Sequence, residues 1–170
     1  MVSWRVGVAA WALGFALAAR AAGVTEQLQV VGAVKTPLTL DVAQLRDFPP
    51  DSIGTVTVTR RVDGQELAST VRGVRLTAVL NRAGLVEADH NSWKHAVVLA
   101  TASDGYSVAF SWPELTNTEV GSAVLVVFER DGQPLADREG RIALLSARDQ
   151  RSGPRSVRWL ARLSVRVLSE

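Results

Sequence analysis

Four arginines, Arg148, Arg151, Arg155 and Arg158, stand close together near the C-terminal end of the chain, in and just before the stretch GPRSVRW, Gly153 to Trp159. A guanidinium offers a planar fork of N–H donors that fits a phosphate or carboxylate, and a serine hydroxyl adds one more donor. A Gly-Pro loop gathering Arg148, Arg155 and Arg158 with Ser156 and free backbone N–H groups would therefore suit an oxyanion. The competing reading is the wet side of a strand. From Val157 onward, Val157, Trp159, Ala161, Leu163, Val165 and Val167 alternate with Arg158, Arg162, Ser164 and Arg166, and only Leu160 is out of step. Arg162 and Arg166 read as the solvated face of that strand.

Other chemistry is sparse. The two histidines, His90 and His95, have Asp89 as their nearest carboxylate. That trio falls in a loop leading into a strand, and a solvated loop accounts for it better than a metal site, which wants three or four ligands of compatible geometry. The chain has no cysteine, which removes thiolate ligands, cysteine nucleophiles and paired-thiol redox chemistry together. No nucleophile elbow, zinc-protease helix, dinucleotide fingerprint or phosphate loop is present. Of Trp93, Trp112 and Trp159, only the last lies in a basic run, so aromatic stacking on nucleic acid has little to build on.

The N-terminus carries one positive charge, Arg5, then an apolar and glycine run from Val6 to Ala19, then small residues up to Gly23. This is the layout of a secretory signal peptide over residues 1–23. The apolar run is shorter than the roughly twenty residues a spanning helix needs. The expected product is a periplasmic or secreted domain, residues 24–170, with no membrane span once the signal is removed. Cleavage also takes away Arg5 and Arg20, leaving 17 basic and 17 acidic residues. A basic balance is then no argument for a nucleic-acid partner. The charge is nevertheless uneven. Residues 141–170 hold seven arginines against Asp149 and Glu170, an asymmetry that can serve a local anion site.

The elements that must position these residues are short. Leu28–Val34 reads as a strand ending at Lys35-Thr36-Pro37. Asp41 with Gln44 forms a capping-box pattern that opens a helix over Val42–Asp47, stopped at Pro49-Pro50. Thr55–Val62 alternates, Asp63-Gly64 signals a hairpin, and Gln65–Val71 returns. Leu76–Arg82 reads as a two-turn helix closed by Gly84. His95–Ala102 and Tyr106–Phe110 are strands about an Asp104-Gly105 turn, and Pro113 suits the first turn of a helix. Ser122–Phe128 reads as a central strand, and Arg141–Leu145 as another. Seven or more strands against two or three short helices, without a βαβ rhythm, predict one α+β domain with an antiparallel or mixed sheet.

Taken in order, the stretches LQVVGAVKTPLTLDVAQL (28–45), VRGVRLTAVLNRAG (71–84), ATASDGYSVAFSWPEL (100–115), VVFERDGQPLADREGRIALL (126–145) and GPRSVRWLARLSV (153–165) resemble the oxidoreductase molybdopterin-binding domain of the sulfite oxidase family, particularly its small exported members. The resemblance implies a mixed α+β fold with several sheets, and a molybdenum cofactor whose pterin ends in phosphate. It implies that Gly153, Ser156 and Arg158, with Arg155 nearby, hold the pterin phosphate, and that Tyr106 and Gly73 border or shape the pocket. Active members ligate molybdenum through one cysteine, whose place falls near Arg60 or Arg61 here. With no cysteine, molybdenum ligation is not expected, because hydroxyls and guanidinium groups do not replace a soft thiolate. Three readings stay open. One is a domain that keeps a basic anion or pterin-phosphate pocket without the redox reaction. Another is a periplasmic interaction module with its pocket filled, and the third is a molybdenum oxidoreductase of the sulfite oxidase type.

Overall fold

The alternating pattern of the last strand and the apolar run near the start of the domain meet in the same sheet. In the computed structural model, which describes residues 23–62, 64–87, 89–151 and 153–168, the first and last strands lie side by side. Strand β1 (Gln27–Gly32) pairs in parallel with β10 (Leu160–Val167). β2 (Leu38–Asp41) flanks β1, while β5 (Ala96–Ala102) and β6 (Ser107–Ser111) continue the sheet beyond β10. The first sheet therefore runs β2-β1-β10-β5-β6, with β1–β10 its parallel pair. The second sheet is antiparallel. It holds β3 (Ile53–Val62), β4 (Gln65–Arg75) and β7 (Val124–Arg130), with β8 (Gln133–Pro134) and β9 (Ala143–Ser146) pairing different parts of β7.

Among the described residues four short helices link the strands: α1 (Val42–Arg46), α2 (Leu76–Ala83), α3 (Trp112–Asn117) and α4 (Glu119–Ser122). Each start has a local cause where a cap is present. Asp41 and Gln44 close the expected capping box, with bonds of 2.8 and 3.0 Å, while Ser111 caps α3 and Thr118 caps α4. Gly84, at φ 67°, ends α2 with its N–H on the Leu80 carbonyl. The core lies between the sheets. Leu28, Val30, Val98, Leu160, Leu163 and Val165 from the first meet Val74, Val126, Phe128 and Leu144 from the second, with Leu76 and Leu80 of α2 packed among them.

Several expected boundaries move, for physical reasons. Ser122 belongs to α4, because the Thr118 cap starts a helical turn there before the apolar run begins. β4 continues to Arg75, past the expected end at Val71, by absorbing a register shift between Arg72 and Gly73. His95 lies in a 3-10 turn, Ser92–His95, so β5 begins at Ala96. Gly32 at φ 96° ends β1 before Val34. Leu160 is out of step because the pairing with β5 shifts between Leu160 and Arg162. The shift lets both Leu160 and Leu163 reach the core while Arg162 and Arg166 stay exposed. The proposed signal peptide and Asp63 of the hairpin turn lie outside the described residues, apart from Gly23.

Candidate functional site

The loop between β9 and β10 carries the arginines, and its base is tied at both ends. Val157 and Leu144 exchange backbone hydrogen bonds of 2.7 and 2.8 Å. Farther out, the Ser156 N–H donates to the Gly153 carbonyl at 3.1 Å, making the turn that the Gly-Pro pair suggested. The Tyr106 hydroxyl donates to the Pro154 carbonyl at 2.6 Å, so the aromatic of the DGY stretch does reach the loop, as a pin on its backbone. Trp159 ends the segment in the left-handed region at φ 49°. Three bonds hold it there: its N–H to Glu139 at 3.0 Å, its indole Nε1 to the Asp137 carbonyl at 2.8 Å, and its own carbonyl accepting from the Ser103 N–H at 2.9 Å.

Of the arginines in this loop, Arg155 has the best-defined surroundings. Its Nε donates to Asp149 Oδ2 at 2.8 Å and a terminal nitrogen to Asp149 Oδ1. The other terminal nitrogen donates to Glu114 Oε1 at 2.6 Å, and the guanidinium carbon lies 4.8 Å from the Phe110 ring centre. Ser146 Oγ donates to Asp149 at 2.8 Å, fixing that carboxylate in turn. The hydrogen bonds from Arg155, followed by that from Ser146, hold the Asp149 carboxyl below the usual carboxylate range against an opposing desolvation effect. Asp149 in turn pushes Arg155 upward, with Glu114 adding to it. A bidentate, charge-assisted pair stacked on an aromatic face is strong among ion pairs.

The remaining residues are placed differently. Arg148 pairs with Glu119 at the surface, where an exposed pair contributes little. Arg158 is exposed and makes no ion pair among the described residues. Ser156 is half-buried and engaged. Gly153 is exposed, with open space where a side chain would go. Gly73 sits in β4, where an added Cβ would stand 2.4 Å from the Val126 carbonyl oxygen, so its glycine is required by the approach of β7. Arg148, Arg155 and Arg158 thus share a loop with one carboxylate, Asp149, while Glu114 of α3 and Glu119 of α4 reach Arg155 and Arg148 from outside it. Glu114, Phe110 and Ser146 were not among the sequence candidates. The first turn of α3 gave Glu114 a helical role, and only the three-residue spacing of Ser146 and Asp149 hinted at local pairing.

Asp89 accepts bonds from the Asn91 N–H at 2.7 Å and Ser92 Oγ at 3.2 Å, chiefly the former holding its carboxyl below the usual carboxylate range. It works as a local turn cap, and among the described residues no group of three or more His, Cys, Asp or Glu could hold a metal ion. Arg60 and Arg61, near the expected place of a cysteine, register with Leu67 and Glu66 toward the end of the β3–β4 hairpin. An open concavity of about 730 Å³ lies elsewhere, over the outer face of the first sheet, lined by Arg162, Arg166, Thr101 and Ser103 among others.

Residues 20–168 match the family described as the oxidoreductase molybdopterin binding domain. The chain belongs to that family. No curated protein matches it. Among solved structures, it is similar to the sulfane dehydrogenase SoxCD from Paracoccus pantotrophus, at 18% identity and a TM-score of 0.62. The match covers 84% of this chain but only 38% of the other. At that identity the likeness concerns the fold, which is the mixed α+β architecture of this family. The donor set does not fit a molybdenum centre of the sulfite oxidase type. The chain offers no thiolate, and the most firmly placed basic residue of the loop is already gripped by the protein's own carboxylates.

Proposed function

We propose that this protein is an exported member of the family that works without molybdenum redox chemistry, as an interaction module whose former anion grip is filled from within. The observation that carries this is the Arg155 cluster. Asp149 and Glu114 occupy the donors that a pterin phosphate would need, and Phe110 covers one face of the guanidinium. Displacing them would expose two carboxylates to an incoming anion, at a cost in repulsion as well as in lost hydrogen bonds. Fold membership does not by itself carry an activity, and the missing thiolate points the same way. The test is purification from the native compartment, with metal analysis and mass spectrometry for a bound pterin. The expected result is neither group in appreciable amount, and near-stoichiometric molybdenum would overturn the reading.

A second reading rests on Arg158, which is exposed and, among the described residues, without an ion pair beside the Gly153–Ser156 turn. On that reading the loop takes a small anion through Arg158 and backbone N–H groups, leaving the Arg155 cluster intact. Titration calorimetry with inorganic phosphate, on the protein and its Arg158→Ala variant, separates the two. Binding that vanishes in the variant supports the anion site, and no binding supports the interaction module.

A further inference from the structure

The free edges of the two sheets are not alike. β2, β6, β8 and β9 are two to five residues long. β3 is ten residues long and lies at the end of its sheet, pairing with β4 on one side. An edge strand offers a row of unpaired N–H and C=O groups, and proteins usually guard it with charges, proline, a bulge or shortness. From Ile53 to Thr59 β3 has no charged residue and no proline, and its register with β4 is unbroken from Ile53 to Val62. Over Ile53–Thr59 none of these guards is present, and the charges of β3, Arg60 and Arg61, come only toward its end.

Its sequence is also its own complement. Thr55-Val56-Thr57-Val58-Thr59 reads the same in both directions. Two copies laid antiparallel about a two-fold axis at Thr57 place Thr57 opposite Thr57, Val56 opposite Val58 and Thr55 opposite Thr59. Residues directly opposite share a sheet face, so the valines meet valines and the threonines meet threonines. Val56 and Val58 are half-buried and pack against Val71, Leu125, Val127 and Leu135, a second apolar cluster on the outer face of this sheet. Pairing would join two such clusters into one apolar strip across β3, β4, β7 and β9 of each copy. In this register Arg60 and Arg61 stand opposite Gly54 and Ile53 of the other copy, so no like charges face each other.

We propose that the protein forms a two-fold dimer by β3–β3 pairing centred on Thr57, an isologous contact that closes on itself. It supplies one partner for the interaction reading but stands on β3 alone. Finding a pterin would leave it untouched, and a monomer would leave the reading of the arginine loop untouched. Because the chain has no cysteine, the register can be tested with single thiols in the full protein. Cα atoms directly opposite lie about 4.5–5.5 Å apart, within disulfide range. Under mild oxidation Thr57→Cys should give a covalent dimer, whereas Thr55→Cys, about 13 Å from its own symmetry mate by strand rise, should not. The double variant Thr55→Cys/Thr59→Cys should cross-link again. Sedimentation should give the mass of two chains for the native protein and of one for Thr57→Lys, with unchanged near-ultraviolet circular dichroism. A monomeric native protein across micromolar to millimolar concentration overturns the proposal, as does cross-linking of Thr55→Cys as readily as Thr57→Cys.

Discussion

At the scale of single residues, the arginine loop is governed by one carboxylate. Asp149 is nearly buried, fixed by Ser146 and bonded twice to Arg155. Asp149→Asn keeps the shape but leaves Arg155 with Glu114 alone, which should cost about 2 kcal/mol at neutral pH by urea unfolding. The pH dependence has a definite sign. The folded-state pKa of Asp149 lies below the ordinary value, so between that lowered value and about 3.9 the unfolded chain binds more protons. The stabilisation is fully present above about pH 4 and is lost as pH falls through the folded value. Unfolding midpoints measured from pH 7 to pH 2 should therefore fall less steeply for Asp149→Asn than for the native protein. A parallel acid limb in the two would show that Asp149 is not the group responsible. Sequence reading located the loop and its turn, because glycine and proline mark local geometry, and the family resemblance singled out Tyr106. It did not find Glu114 on Arg155, since that contact joins residues 41 positions apart and depends on how α3 lies over the loop.

At the scale of elements, strands are set by alternation and helices by their caps, and both were legible where one signal acted alone. The Asp41–Gln44 box and the turn at Gly84 stand where their residue types put them. The register shifts were not legible. Those at Arg72/Gly73 and Leu160/Arg162 reflect how neighbouring strands meet, and only the displaced Leu160 left a trace in the pattern. Two predictions belong here. Gly73→Ala forces a methyl against the Val126 carbonyl, where backbone rather than a flexible side chain must give way. It should lower the urea midpoint by the equivalent of about 1–3 kcal/mol without changing the slope. On β10, Leu163 is fully buried and Arg162 exposed. Leu163→Ala should cost about 2–5 kcal/mol, whereas Arg162→Ala should stay within about 0.5 kcal/mol despite its bond to Gln29. A large loss at Arg162 would mean that the outer face of the first sheet is covered in solution.

At the scale of the whole molecule, the decisive feature is that the first and last strands pair in the middle of one sheet. β10 separates β1 from β5, so without it the first sheet has no continuous ladder and Leu160, Leu163 and Val165 leave the common core. That core also draws Val74, Val126, Phe128 and Leu144 from the second sheet, so neither sheet has an inner face to bury without the other. The two sheets should therefore unfold as one cooperative unit. Calorimetric and van't Hoff enthalpies of unfolding should agree, and far- and near-ultraviolet transitions should coincide. A chain ending at Trp159 should fail to fold, although it keeps the entire second sheet. Because the two ends must meet before that sheet exists, refolding should fall in the millisecond-to-second range typical of non-local strand pairing. Two separated transitions, with the second sheet surviving the first, would show instead that the family fold is held here by two independent units joined through α2 and β7.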